Sequence, residues 1–146
     1  MTPAAVTLRL RRLYLDTSAY LCILLGEAGA GRLSRETDGA ELLSSVLIVL
    51  EAKRTLVRLA REKHLGAAPY EAAMTRVDED TELFVLRDLT LDLCASHLLP
   101  PVVTPRSLDL AHLRTALWFH AVEPIDRFLT MDGVQAQGAR ELGLPV

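Results

Sequence analysis

The sequence predicts an α/β fold: a three-layer α/β/α domain with a mostly parallel sheet of four to five strands. Three observations carry that expectation. Short apolar runs of strand length alternate with longer stretches of helical period, the pattern of repeated βα units around a sheet covered on both faces. Half of the 146 residues are hydrophobic and 24% are charged, enough for one domain with a core and incompatible with a disordered chain. No repeat, low-complexity tract or linker interrupts the pattern, so residues 1–146 read as a single domain in which 1–12 form an N-terminal extension.

Taken in order, Leu13-Tyr14-Leu15 is a buried strand, and Asp16-Thr17-Ser18 starts a helix in which Thr and Ser are expected to cap orphan amides. That helix reaches about Leu25 and is broken by Gly26, Gly29 and Gly31; a short helix over residues 32–36 precedes a turn at Asp38-Gly39. A second strand begins near Glu41. Residues 42–50 are ambiguous by period, and we read them as a strand, a Ser cap and a buried helix that continues to Lys63 with Ala52, Leu56, Leu59 and Ala60 on one stripe. Pro69 suits the first turn of a helix through Val77, after which Asp78, Glu79, Asp80 and Glu82 read as a solvated loop or helix end.

Residues 83–86 are the expected third strand, and residues 91–98 a helix stopped by Pro100-Pro101. Ser107 is expected to cap a helix to about Ala121. Residues 127–130 form the fourth strand and 134–142 the last helix, closed by Gly143, with Leu144-Pro145-Val146 offering an edge strand.

Composition narrows the function. The net charge is −3, with ten Lys/Arg against eight acids in residues 1–73 and six against eleven in 74–146. This balance does not announce a nucleic-acid binder, so such a role has to rest on a site. The longest stretch without charge, residues 93–105, holds three prolines and falls short of the ~20 apolar residues that span a bilayer. The N-terminus places apolar residues before Arg9, Arg11 and Arg12, the reverse of a secretory signal. We therefore expect a cytoplasmic protein without a membrane partner. Cys22 and Cys94 lie in apolar settings without ligand spacing and read as small buried hydrophobes.

In open parallel sheets, sites form at the carboxyl ends of the strands. Asp16 ends strand one, Glu51 lies about two turns into the helix after strand two, Asp109 falls in the first turn of the helix after Ser107, and Asp132 follows strand four. Singly, these are a turn former, the start of a solvated face, an acid favoured by the helix dipole and a helix cap. Jointly, four like charges on one edge repel and are driven toward protonation unless cations hold them. A divalent metal site resolves this, and all-oxygen donors suit Mg²⁺ or Mn²⁺. An aspartyl-phosphate phosphatase wants a second Asp where Ser18 stands. A phospho-receiver wants an acidic pair near the end of strand one and a late Lys, and neither is evident; no dinucleotide or P-loop fingerprint follows a strand.

Four stretches carry a resemblance: Leu13-Tyr14-Leu15-Asp16-Thr17-Ser18-Ala19; Ser44-Ser45 followed by Glu51; the run from Leu108 through Asp109 and His112 to Ala116; and Phe128-Leu129-Thr130-Met131-Asp132 with residues 139–144 after it. In order and spacing the chain resembles PIN-domain ribonucleases, and more narrowly the VapC-type toxins of bacterial toxin-antitoxin pairs, over nearly its whole length from Leu13. The resemblance implies a PIN-like domain and catalytic, metal-binding roles for Asp16, Glu51, Asp109 and Asp132, with Thr17 and Thr130 as supporting hydroxyls. It departs at Gly133, where relatives often carry a basic residue. Asp126 is a rival for the fourth acid but sits before its strand, as a turn residue would. His112 also falls where relatives tend to have His, and is read here as a packing or hydrogen-bonding residue.

The expected function is a metal-dependent endoribonuclease, using Mg²⁺ or in its place Mn²⁺, in which water attacks the scissile phosphate in line and leaves 5′-phosphate and 3′-hydroxyl ends. Its expected partner is RNA, and the resemblance implies a cognate antitoxin, which the exposed acidic charge also suits, and a second copy of the chain. Arg54, Arg58 and Arg61 lie within about 80° of Glu51 around their helix and are expected to bind RNA phosphates; the plain alternative is a solvated face with an Arg58–Glu62 ion pair. Two other functions compete: a non-catalytic module whose acids accept a partner's arginines, and a phosphatase of small esters.

Overall fold

A central strand, β1 (Arg12–Leu15), is buried along all four residues. In the computed structural model, which describes residues 8–95, 101–103 and 106–146, β1 pairs in parallel with β2 (Glu41–Ser45) on one side and β4 (Arg127–Leu129) on the other. β2 pairs with β3 (Val85–Arg87), giving a four-stranded parallel sheet in the order β3-β2-β1-β4. The register sets Tyr14 opposite Leu43 and Phe128. After β1 the chain moves outward through β2 and β3, then returns to the far side of β1. That reversal puts a topological switch point, the usual place for a site, between the carboxyl ends of β1 and β4.

The two-residue period of β1 divides the core between two helical layers. Leu13 and Leu15 pack with Ala19 and Cys22 of α1 (Thr17–Leu25) and Leu33 of α2 (Ala30–Thr37). Tyr14 points the other way, into Leu113, Ala116 and Phe119 of α6 (Ser107–Val122) and Ala139 of α7 (Gly133–Glu141), stacking on Phe128 at 5.3 Å. Ile48, Ala52 and Leu56 of α3 (Leu47–Arg61) meet Tyr20 of α1 and Val77 of α4 (Ala67–Glu82) in a third cluster. The result is the expected three-layer α/β/α architecture.

Most elements fall where the periodicity puts them, and the differences have local causes. Asp16, not Thr17 or Ser18, caps α1: its extended backbone lets the carboxylate accept from the Ala19 amide at 3.0 Å. Ser45 accepts from the Leu47 amide at 3.2 Å as α3 begins, but the cap position is Val46 and no side chain caps the helix, so the expected Ser cap does not form. Ser107 is already inside α6 and provides no side-chain cap; the cap position is Arg106. α4 runs through the acidic run to Glu82, because Lys53 bonds Asp78 at 2.5 Å, Arg76 bonds Asp80 at 3.4 Å and the Tyr20 hydroxyl donates to Asp80 at 2.9 Å. These contacts offset the cost of acids at a helix C-terminus and delay β3 to Val85.

Of the helix expected over residues 91–98, α5 (Leu91–Ala95) is observed, and the remainder with the stop at Pro100 lies outside the described residues. Gly143 follows α7 with φ +78°, the left-handed stop expected of it. Leu144-Pro145-Val146 forms no strand, but the Pro145 carbonyl accepts from the Phe128 amide at 2.6 Å, so the chain satisfies β4's outer side without a ladder. Of the expected extension, residues 1–7 lie outside the described residues and Arg12 opens β1; between them Arg9 donates to the Pro124 carbonyl at 2.6 Å and bonds Glu123 at 3.0 Å.

Candidate active site

β1 ends at Leu15, so the next residue stands at the switch point. Asp16 is 4% exposed; Oδ1 accepts from Ser18 Oγ at 2.6 Å as well as from the Ala19 amide, and Oδ2 accepts from Thr130 Oγ1. Burial raises its pKa above the ordinary aspartate range, against the pull of these donors. Thr130, one residue past β4, links the two strand ends: besides donating to Asp16, its hydroxyl accepts from the Asp132 amide at 3.1 Å. Asp132 caps α7, with Oδ1 accepting from Val134 N at 2.9 Å and Gln135 N at 3.3 Å.

Glu51 reaches the same region from the second turn of α3. Thr17 Oγ1 donates to Glu51 Oε1 at 2.9 Å, and His112 Nε2 lies 2.8 Å from that oxygen. Asp109 is in the first turn of α6, and its backbone carbonyl accepts from Gln135 Nε2 at 2.9 Å, which locks the starts of α6 and α7 together. Gln135 is fully buried, and its Oε1 has no hydrogen-bond partner among the described residues.

Asp16, Glu51, Asp109 and Asp132 all line one cavity of about 230 Å³, and Thr17 lines it with them. Among the described residues, no three His, Cys, Asp or Glu side chains form a group that could hold a metal ion as they stand. Thr130 acts behind the wall, through Asp16 and Asp132. Asp126 lies at the opposite end of the sheet: its carboxylate accepts from the Arg12 amide at 2.7 Å, and its own amide donates to the Arg12 carbonyl. It is the turn residue its position suggests.

The three arginines of α3 separate. Arg54 lines the cavity. Arg58 pairs with Glu62 at 3.1 Å, and Arg61 is exposed at the end of α3, about 10 Å further along the axis than Arg54 at 1.5 Å per residue. Arg106, which sequence reasoning did not single out, lines the cavity from the start of α6. Its position just before the Asp109 turn was the only available signal. The contact between His112 and Glu51 was also not anticipated, because residues 61 apart leave no periodic trace.

No family model matches the chain, and no curated protein matches it.

Proposed function

We propose that the protein is an endoribonuclease that uses Mg²⁺ or Mn²⁺ to hydrolyse RNA phosphodiester bonds, and that it acts as the toxin of a toxin-antitoxin pair. The observation that carries this reading is the convergence of four carboxylates, from four separate segments, on one cavity at the switch point. The donor set fits the ion. Mg²⁺ keeps several waters and binds through one or two carboxylates plus substrate phosphate, so it does not require three side chains gathered in advance. When bound, such an ion polarises a phosphoryl oxygen and makes water a nucleophile near neutral pH.

The chain's own residues do the rest. Asp16 is held in one orientation by Ser18, Thr130 and the Ala19 amide. Glu51 is held by Thr17 and His112. Asp109 and Asp132 add negative charge on the walls contributed by α6 and α7. Arg54 and Arg106 supply the cations that an RNA backbone needs in order to approach an acidic cavity. The carboxylates equally suit an antitoxin that presents an arginine, and a second copy of the chain completes the expected assembly. Among the described residues no helix is long and apolar enough to cross a membrane.

Purified protein is expected to cleave RNA with Mg²⁺ or Mn²⁺, leaving 5′-phosphates, and to stop in EDTA. Asp16→Asn, Glu51→Gln, Asp109→Asn and Asp132→Asn should each abolish cleavage while the fold persists. Full activity in EDTA overturns the reading. A folded, inactive protein that captures an arginine-rich peptide favours the binding module, and hydrolysis of a chromogenic monophosphate but not RNA favours a phosphatase. Expression in a bacterial host should arrest growth, with relief by Asp16→Asn; harmless expression of the active enzyme removes the toxin assignment alone.

A further inference from the structure

Thr17, Glu51 and His112 close a triangle. Thr17 Oγ1 is 2.9 Å from Glu51 Oε1, and His112 Nε2 is 2.8 Å from Glu51 Oε1 and 3.2 Å from Thr17 Oγ1. Thr17 has one hydroxyl proton, and Glu51, when ionised, has none. If Nε2 were bare, its lone pair would face a carboxylate oxygen at hydrogen-bond distance and repel it. Nε2 therefore carries a proton and points it at Glu51. The other nitrogen, Nδ1, lies 2.8 Å from the Tyr14 hydroxyl, inside the core. Burial raises the pKa of Tyr14 well above the ordinary phenol range, so it stays a phenol whose hydroxyl bonds Nδ1. His112 is 2% exposed and has little freedom to turn.

We propose that His112 is a positioning residue for Glu51: with Thr17 it fixes Oε1, so that Oε2 is the oxygen presented to the cavity, while Tyr14 sets the orientation of the ring. The consequence for catalysis rests on the nuclease reading; the placement of the proton does not. Glu51 reaches the cavity through three rotatable side-chain bonds and is 20% exposed on its side chain. Both bonds fall on one oxygen, which selects one rotamer and one face of the carboxylate. His112 stands three residues after Asp109 on the same face of α6, so one helix supplies both a carboxylate and the holder of another. A histidine needed only to fill the core has no reason to direct its second nitrogen at a partly exposed acid.

The test compares substitutions that keep different nitrogens. In His112→Gln the amide nitrogen reaches the place of Nε2; in His112→Asn it reaches only that of Nδ1. With folding checked by circular dichroism, Mn²⁺ affinity measured calorimetrically should stay within about threefold of wild type for Gln and fall about 10–100-fold for Asn, the usual cost of losing a group that orients a metal ligand. RNA cleavage by the Asn variant should fall at limiting Mn²⁺ and recover as Mn²⁺ is raised. Equal Mn²⁺ affinity in all three proteins, with the variants only less stable, overturns the proposal. A second measurement needs no metal and no activity. Long-range ¹H–¹⁵N spectra of the wild type should show the His112 proton on Nε2, with its resonance displaced in Glu51→Gln. A bare Nε2, or a ring signal indifferent to Glu51→Gln, overturns the proposal even if the enzyme is active. A wild type that neither binds Mn²⁺ nor cuts RNA removes the nuclease reading, and the ring spectra then decide the positioning of Glu51 by themselves.

Discussion

Asp16 is asked to be both a helix cap and a buried charge, and the two roles pull against each other. As a cap it satisfies the Ala19 amide, a benefit of about 1 kcal/mol. As a charge it is desolvated, and its pKa rises for that reason. An acid whose pKa is raised on folding binds its proton more tightly in the folded state. It therefore stabilises the fold fully below the unfolded aspartate pKa of about 3.9 and loses that contribution as pH climbs through the raised value. In EDTA, Asp16→Asn should raise the melting temperature at pH 7 by a few degrees, and the gain should vanish as pH falls toward 4. Thermal melts at both pH values check this; a lower melting temperature for the Asn variant at pH 7 contradicts it. The sequence marked Asp16 as the acid at a strand end but assigned its capping role to Thr17 and Ser18. Residue type alone does not say which of three adjacent polar groups has the extended backbone. Those hydroxyls instead serve the carboxylates, Thr17 for Glu51 and Ser18 for Asp16.

α3 shows what an element can reveal and what it conceals. Its apolar stripe was legible because Ala52 and Leu56 repeat at helical spacing and bury against α1 and α4. Angular position put Arg54, Arg58 and Arg61 on one ridge, but the angle ignores the axial rise that carries the ridge away from the cavity. If RNA lies over the cavity, Arg54→Gln should weaken binding for every sequence and reduce the log–log salt slope by about 0.7, the value for one phosphate contact on a single strand. Arg61→Gln should change neither. Filter binding across a salt series distinguishes them, and equal slopes for the two variants would restore the continuous ridge. At the other edge of the fold, Leu144 is 4% exposed and packs in the cluster of Tyr14 and Phe128 although it belongs to no strand. Leu144→Ala should cost about 2–5 kcal/mol in urea unfolding. A cost below about 1 kcal/mol would mean that this segment merely rests on the sheet.

At the scale of the whole molecule, the alternation of strands and helices made the layers readable, and the rule that sites gather at carboxyl ends made the cavity's four acids readable with them. What stayed hidden was the pairing across the fold: Arg106 entering beside Asp109, His112 reaching Glu51, and Asp126 bound to Arg12 at the far end. Each depends on which strands become neighbours, and composition carries no record of that. The same topology bears on how fast the protein assembles. β1 finds β2 after a short crossover, but its other neighbour lies far along the chain; the bond from the Arg12 amide to Asp126 spans 114 residues. Closing so long a loop costs entropy before any contact returns it, which slows folding. Docking of β4 also brings Thr130 to Asp16 and starts α7 at Asp132. In refolding from urea, recovery of the site should therefore track the slow closure of the β1–β4 edge rather than the early gain of helix. Until β4 docks, helices α1 to α4 can form without the cavity, because the walls from α6 and α7 and the Thr130 bond to Asp16 are still missing.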